Sequence, residues 1–417
     1  MSARPPAAAT HSPAAPDVVV TGLGVVSAAG IGAEATWKSV VSGQPTARIS
    51  PTLRGLPTDL ACELDGFDAP GLLGANFARR TDRFSQLAMI AGDEALRTAG
   101  LDPSGWDGAR VGVLLGSAFG GVTTLTEQAV RESRGSAVSA VTVPAVLSNM
   151  AAGLLSLAWK AHGPSLAVNT ACASGATAIG LAAGLLRDDT CDIVIAGGAE
   201  APVNRLLAAA FARMDALSLN RAAPAAASRP FDAQRDGFVL AEGAAMLVLE
   251  RADDAAARHA PTLARLVGFG ASADAHHFTA PHPEGRGLER AVTQALRRAG
   301  AGLADVDHVN AHATSTPKGD LAEASLLARL FGGSVSVTAP KGALGHTLGA
   351  AGAIEAALTV LSIVEQTVPP TANLDEPDAL IDELDIVAGQ ARSQRIRLAL
   401  SSSSGFGGQN AVLAFAD

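Results

Sequence analysis

The 417-residue sequence predicts an α/β protein built from two related halves, and three observations predict it. Short apolar runs flanked by glycine or charge alternate with helical segments, the pattern of strands buried on both faces in right-handed βαβ units. A set of segments recurs in the same order in the two parts of the chain. Glycine (44 residues) and alanine-rich stretches supply most of the apolar content, whereas aromatics are only 4 %, with no tyrosine and 12 phenylalanines. Small side chains allow close approach, so this composition fits helices packed between sheets.

In chain order, residues 1–16 are Ala/Pro-rich with no continuous apolar run and are expected to be a disordered tail. Residues 18–24 (VVVTGLG) are a β-branched run closing on Gly-x-Gly, and residues 264–270 (ARLVGFG) repeat it. A helix over 83–99 ends in Ala95-Leu96-Arg97-Thr98-Ala99-Gly100, which returns as Ala295-Leu296-Arg297-Arg298-Ala299-Gly300 at the end of a helix over 287–299. Each copy leads through an Asp-containing turn into a strand, 110–115 and 306–311. Residues 165–184 and 336–356 then both run from a strand through a small-residue turn into an Ala-rich helix, over 174–186 and 350–366. Strands over 192–196, 244–249 and 411–415 and a helix over 320–330 complete the pattern. The longest apolar stretch, 143–159, is interrupted by Ser148, Asn149 and Ser156; it is too short and polar to span a bilayer and predicts a buried helix. The boundary falls near 259–261, giving an N-terminal half over 17–260 and a C-terminal half over 261–417.

A formal net charge of −9, with no Lys/Arg cluster interleaved with aromatics, argues against nucleic acid as a partner. No segment predicts membrane association. Cys62, Cys172 and Cys191 have neither CxxC nor metal-ligand spacing, which fits a reduced, cytoplasmic compartment and no metal site.

Cys172 is expected at a strand-to-helix junction opened by Ala173, Ser174 and Gly175, where unpaired N–H groups and the helix dipole favour a thiolate. In the second half the matching turn carries His346, and a pseudo-twofold axis would bring the two turns face to face. His312 closes the strand after 306–311 amid small polar residues. One thiol and two imidazoles without a fourth ligand fit assisted nucleophilic chemistry better than zinc. Lys341, Asp320 and Glu323 stand nearby and are expected, at least in part, to form an ion-pair network fixing these loops. Gly405-Phe406-Gly407-Gly408, after Ser401 to Ser404, predicts a mobile gate or an oxyanion loop rather than a phosphate cradle, since no Walker lysine follows.

Asn169-Thr170-Ala171-Cys172-Ala173-Ser174-Gly175, the run from Asn310 through His312 to Asp320, Lys341-Gly342-Ala343-Leu344-Gly345-His346 and the loop at Phe406 together resemble signatures of the β-ketoacyl-acyl-carrier-protein synthases, in their elongating branch. Ser228 to Asp232, Arg235 to Phe238 and Ser272 to Ala275 match as well, so the resemblance runs from about Asp17 to Phe415. It implies a thiolase-like, five-layered αβαβα fold, usually dimeric, and a decarboxylative Claisen condensation. The acyl group would pass from carrier-protein phosphopantetheine to Cys172, with His312 and His346 as donors to the thioester oxygen. The N–H groups of Cys172 and Phe406 would form an oxyanion hole, with Phe406 and Gly407 in the gate. Lys341 and Glu323 would organise the histidines, and Thr314 and Thr316 would contact the pantetheine arm. No cofactor is implied beyond the carrier-borne substrates.

Departures from the pattern are informative. Ser402-Ser403-Ser404 stands where relatives carry Asn-Ser-Phe, so one gating aromatic is missing. Ala313 replaces a glycine after His312, and Asp215 replaces an arginine thought to meet the carrier protein. Phe119 replaces a smaller aliphatic at the acyl-pocket floor, with Phe211 as its neighbour, which predicts a shortened pocket. A thiolase would need a second cysteine near the C-terminus, and none lies beyond Cys191. Two alternatives stay open: the catalytic ketosynthase subunit of a heterodimer with a chain-length factor, and a non-catalytic scaffold.

Overall fold

The computed structural model describes residues 16–379, 381 and 383–417; residues 1–15, most of the expected tail, lie outside them. Eleven strands form one continuous path: β1 (Val18–Ser27), β2 (Val111–Gly116), β3 (Ser165–Val168), β4 (Ile193–Glu200), β5 (Gly243–Arg251), β6 (Ala264–Ala273), β7 (His308–Asn310), β8 (Ser336–Thr338), β9 (Asp385–Ile386), β10 (Leu398–Gly405) and β11 (Gln409–Ala416). Their order is β9-β8-β7-β10-β11-β6-β1-β5-β4-β2-β3, with the short strand Gly30–Ile31 paired beside β1. The path is symmetric about the antiparallel β6/β1 junction. On one side β4, β2 and β3 run parallel, and on the other β10, β7 and β8 do.

Five helices explain the layering: α1 (Arg83–Thr98), α2 (Ser174–Arg187), α3 (Arg286–Ala299), α4 (Pro317–Phe331) and α5 (Ala351–Glu365). α2 and α5 pack on each other and touch strands from both sides of the junction, so they form the central layer. α1 covers β1 and β5 from outside, and α3 covers β6 and β11 in the same way. Helix, sheet, helix pair, sheet and helix give the expected five layers. The largest apolar cluster lies in the middle and joins Ile179 and Leu186 of α2 to Ile354 and Leu358 of α5, Leu247 of β5 and Leu413 of β11.

The repeated Gly-x-Gly and Ala-Leu-Arg segments meet each other, which gives the repeat a packing cause. A Cβ on Gly24 would collide with the Ala91 carbonyl of α1, and one on Gly270 with the Ala291 carbonyl of α3. Each outer helix therefore lies on its strand at a distance only glycine permits. Element bounds follow the expected ones closely, with two exceptions. The stretch 143–159 is not one buried helix: it divides into Thr142–Val146 and Met150–Trp159, with Ser148 and Asn149 at the break. Such side chains compete for backbone hydrogen bonds, and only Ala151, Ala152, Leu155 and Trp159 turn inward. The strand expected over 306–311 shortens to β7, although the Ala311 N–H still bonds the Thr338 carbonyl of β8.

One helix among the described residues, Leu348–Glu365, is long and apolar enough to cross a membrane, but 83 % of it is buried inside the protein, as befits the central layer. β3 ends the sheet, pairs only with β2 among the described residues, and exposes Ser165, Leu166 and Ala167.

Two glycine substitutions test the packing. Gly270→Val must push α3 off the sheet and should destabilise the protein by about 1–3 kcal/mol, whereas Gly184→Ala, in helix α2 with open space around it, should stabilise it by about 0.5–1 kcal/mol. Thermal midpoints moving in opposite directions would bear this out; an unchanged midpoint for Gly270→Val would contradict the close approach.

Candidate active site

Cys172 follows β3, His312 follows β7 and His346 follows β8 by way of the short helix Lys341–Leu344, so all three leave the carboxyl ends of parallel strands. All three line one cavity of about 740 Å³. The two turns expected face to face are thus brought to a common space, together with His312.

The turn that presents Cys172 is bent at Ala171, whose φ of 51° lies in the left-handed region. Local hydrogen bonds hold this conformation: the Asn169 carboxamide oxygen accepts from the Ala171 N–H at 3.1 Å, and the Ser174 hydroxyl donates to the Ala171 carbonyl at 2.6 Å while accepting from the Thr170 N–H at 2.9 Å. Gly405 lies against the same turn, where a Cβ would stand 2.9 Å from the Cys172 nitrogen. That proximity aims the Phe406 N–H at the thiol.

The thiolate expected from the helix dipole is not the resting form. Burial pushes the Cys172 thiol up to about 12, opposed by the nearby Lys341 ammonium and the Phe406 N–H. Desolvation of the charged form exceeds the lowering by the Lys341 charge and the Phe406 N–H. Burial also holds His312 and His346 well below the ordinary imidazole value, and the Lys341 charge pushes both in the same direction. Both imidazoles are therefore neutral near pH 7, with ring centroids 5.4 Å apart and planes at 83°.

Lys341 Nζ stands 3.3 Å from His312 Nδ1 and is ion-paired with Glu355. An ammonium only donates, so Nδ1 accepts and the His312 proton resides on Nε2. Glu323 holds the backbone at His312: it accepts from the His312 N–H at 2.9 Å, the Ala313 N–H at 2.7 Å and the Ser402 hydroxyl at 2.7 Å. Asp320 likewise pins the next residues, accepting from the N–H groups of Thr314 (2.9 Å), Ser315 (3.1 Å) and Phe231 (2.9 Å). The Thr314 and Thr316 hydroxyls are 3.0 Å apart and line the cavity beside Lys318.

An aromatic wall faces this polar side. Phe211 packs edge-on against Phe119 (6.4 Å) and Phe238 (5.3 Å) and tilted against Phe406 (6.3 Å), while Phe238 meets His346 at 5.3 Å. Phe119, expected at the floor of the acyl pocket, lines the cavity and is 40 % exposed. Asp215, in a left-handed turn, is exposed on the rim. Ser404 lines the cavity with its hydroxyl given to Asn410 at 2.8 Å, and Gly407 ties the gate to the Phe278 carbonyl.

Sequence reasoning missed Glu355, Glu200 and His277. A lone glutamate in the interior of an Ala-rich helix expected to be buried was a usable signal for Glu355, since buried charges need partners. Glu200, closing an apolar strand, carried the same signal. Nothing in the sequence distinguished His277, which lines the same cavity.

The profile of the β-ketoacyl synthase N-terminal domain matches residues 15–255, and that of the C-terminal domain matches residues 263–375. The chain is 42 % identical to the 3-oxoacyl-acyl-carrier-protein synthase 2 of Rhizobium meliloti over 95 % of its own length and 97 % of the relative's. A β-ketoacyl synthase from Burkholderia phymatum superposes with a TM-score of 0.90 at 35 % identity, covering 96 % of this chain and 99 % of that one. The ishigamide ketosynthase/chain length factor does so with 0.91 at 30 % identity, covering 97 % and 99 %. Fold, cavity and sequence agree that the chain belongs to the β-ketoacyl synthase family.

Proposed function

We propose that this protein is a β-ketoacyl-acyl-carrier-protein synthase, condensing a Cys172-bound acyl group with malonyl-carrier protein. The observation that carries the proposal is one half-buried thiol and two neutral imidazoles around a cavity with an apolar wall on one side and hydroxyls on the other. In the first half-reaction the Cys172 sulfur attacks the acyl thioester and displaces the pantetheine thiol. The Cys172 proton leaves as the new bond forms, and a neutral imidazole in the same cavity is fit to relay it to the departing sulfur. The N–H groups of Cys172 and Phe406 stabilise the oxyanion.

In the second half-reaction malonyl-carrier protein loses CO₂, and its two electrons become an enolate. His312, with its proton on Nε2, and His346 donate to the thioester oxygen as this charge develops. The enolate carbon attacks the acyl-cysteine carbonyl, and the Cys172 sulfur leaves and takes up a proton. No redox or metal cofactor enters, because decarboxylation supplies the carbanion. Thr314 and Thr316 hold the pantetheine arm, and Phe119 with Phe211 sets the depth of the acyl pocket. Carrier protein and a second synthase-like subunit are the partners, and the cytoplasm is the compartment in which they meet.

The exposed edge of β3 supports a paired state, and the likeness to the ishigamide ketosynthase/chain length factor supports a second reading: the catalytic subunit of a ketosynthase heterodimer. One assay separates these from a scaffold. Incubation with acyl-carrier protein should give a mass adduct on Cys172 that Cys172→Ala abolishes, and malonyl-carrier protein should then release CO₂ and ketoacyl product. Condensation by the protein alone supports the homodimer, condensation only with an added partner supports the heterodimer, and no adduct with either overturns both.

The raised thiol value has a kinetic consequence. Below its pKa the thiolate fraction rises with pH, so iodoacetamide should alkylate Cys172 about tenfold faster per unit between pH 7 and 9. A plateau below pH 8 would show that the helix terminus, not burial, dominates. Chain-length profiling tests the pocket: Phe119→Ala should raise kcat/KM for long acyl chains about tenfold or more relative to short ones. Long saturated chains used equally well by native protein and variant would contradict a shortened pocket.

A further inference from the structure

Glu200, the last residue of β4, is fully buried and takes no part in the chemistry above. Its carboxylate accepts four hydrogen bonds: Oε1 from the Ser117 hydroxyl (3.0 Å) and the Phe119 N–H (3.2 Å), Oε2 from the Ala118 N–H (2.6 Å) and the Gly349 N–H (3.2 Å). None of these partners is a cation. A buried carboxylate without a counter-ion is held only by its donors, and such a group is expensive compared with an apolar side chain of the same size. Burial accordingly raises it to about 7.

The donors come from two places that the reaction needs in register. Ser117 to Phe119 form the start of the aromatic wall directly after β2. Gly349 lies three residues beyond His346, next to Leu348, which lines the cavity and is forced to a φ of 47°. Gly349 has no room for a Cβ beside Glu200 and Ala118, so the two segments are in direct contact. Across the pseudo-twofold axis Glu323 holds the two consecutive N–H groups of His312 and Ala313 in the same manner. The carboxylate on each side thus fixes a functional segment that follows a central parallel strand.

We infer that Glu200 is a positioning residue that sets acyl-chain selectivity, by locking the Phe119 backbone to the turn that follows His346. The inference deepens the proposed function and rests on it. Glu200→Gln is the informative change. A carboxamide keeps the Ala118 and Gly349 bonds if its oxygen takes the Oε2 place, and its NH₂ then satisfies the Ser117 hydroxyl but confronts the Phe119 N–H with a donor. Only the Phe119 end of the wall segment is released, while Ala118 and the turn after His346 stay held.

The test measures kcat/KM for acylation of Cys172 by a series of saturated acyl-carrier proteins, from short to long. The ratio of long to short is read because the fraction of correctly folded enzyme cancels from it. For Glu200→Gln the ratio should rise about tenfold over native, the size expected for one lost charge-assisted hydrogen bond. Ser117→Ala, which removes one donor from Oε1 and the hydroxyl that accepts from the Gly120 N–H at 3.1 Å, should move it in the same direction by a smaller factor and serves if Glu200→Gln does not fold. Ratios within twofold of native in every variant that folds overturn the inference alone. A native protein that acquires no acyl group from any carrier, with or without an added partner subunit, overturns the functional proposal beneath it.

Discussion

The contact between the first turns of the two central helices is the constraint on which the rest depends. A Cβ on Gly175 would stand 2.8 Å from that of Ala353, and one on Gly352 would stand 2.8 Å from that of Ala176, so each helix offers a glycine to the other's alanine. Cys172 lies three residues before Gly175 and His346 six before Gly352. The separation of these two glycine–alanine contacts therefore fixes the separation of the nucleophile's turn from the imidazole's. The alanine and glycine excess is the compositional trace of this demand, repeated where each outer helix meets its strand at Gly24 and Gly270. Of the phenylalanines, Phe269 and Phe415 enter the central cluster, whereas Phe119, Phe211, Phe238 and Phe406 line the cavity.

A second constraint is electrostatic. Lys341 is buried among Glu355, His312 and the carboxylate of Glu323, and it acts on Cys172, His312 and His346 alike. Its positive charge disfavours protonated imidazoles and favours a thiolate. It therefore opposes the charge that would spoil proton donation to an enolate oxygen as a neutral imidazole, and assists the one that forms when the acyl-cysteine bond breaks. Glu355, itself raised to about 7 by burial, balances the ammonium without reaching the imidazoles. In the proposed reaction this one fixed cation would serve both half-reactions, with no reorganisation between them.

The features legible in the sequence share a cause with those that were not. The repeat could be read because symmetric close packing imposes the same small residues twice, at 18–24 and 264–270 and in the two Ala-Leu-Arg segments. Cys172, His312 and His346 could be read because functional groups gather where parallel strands end. What escaped depends on distances between remote segments. The Cys172 thiol is raised because the body closes over it, which no local pattern reports. Glu323 holds backbone rather than an imidazole, a distinction invisible at the level of residue type. Glu355 and Glu200 announced themselves only as charges in apolar runs, and their partners, 14 and up to 149 positions away, emerge only on folding. The break at Ser148 and Asn149 was visible as polarity, but its effect on the helix was decided by which face the sheet required.

The two halves reuse one design for two tasks, and the difference lies in what each buried carboxylate holds. After β7, Glu323 on helix α4 and Asp320 one turn earlier fix a loop whose side chains are an imidazole and two hydroxyls. After β2, Glu200 at the end of β4 fixes a segment whose exposed member is a phenyl ring. Backbone held in this manner is rigid whatever side chain it bears, so chemistry and chain recognition could diverge without altering the scaffold. The cavity between them inherits both surfaces: a polar side suited to a pantetheine arm and a developing enolate, and an aromatic side suited to an acyl chain. Cys172 lies where the two sides meet, which is the position a thioester must occupy if its chain is to enter one side while its carbonyl is attacked from the other.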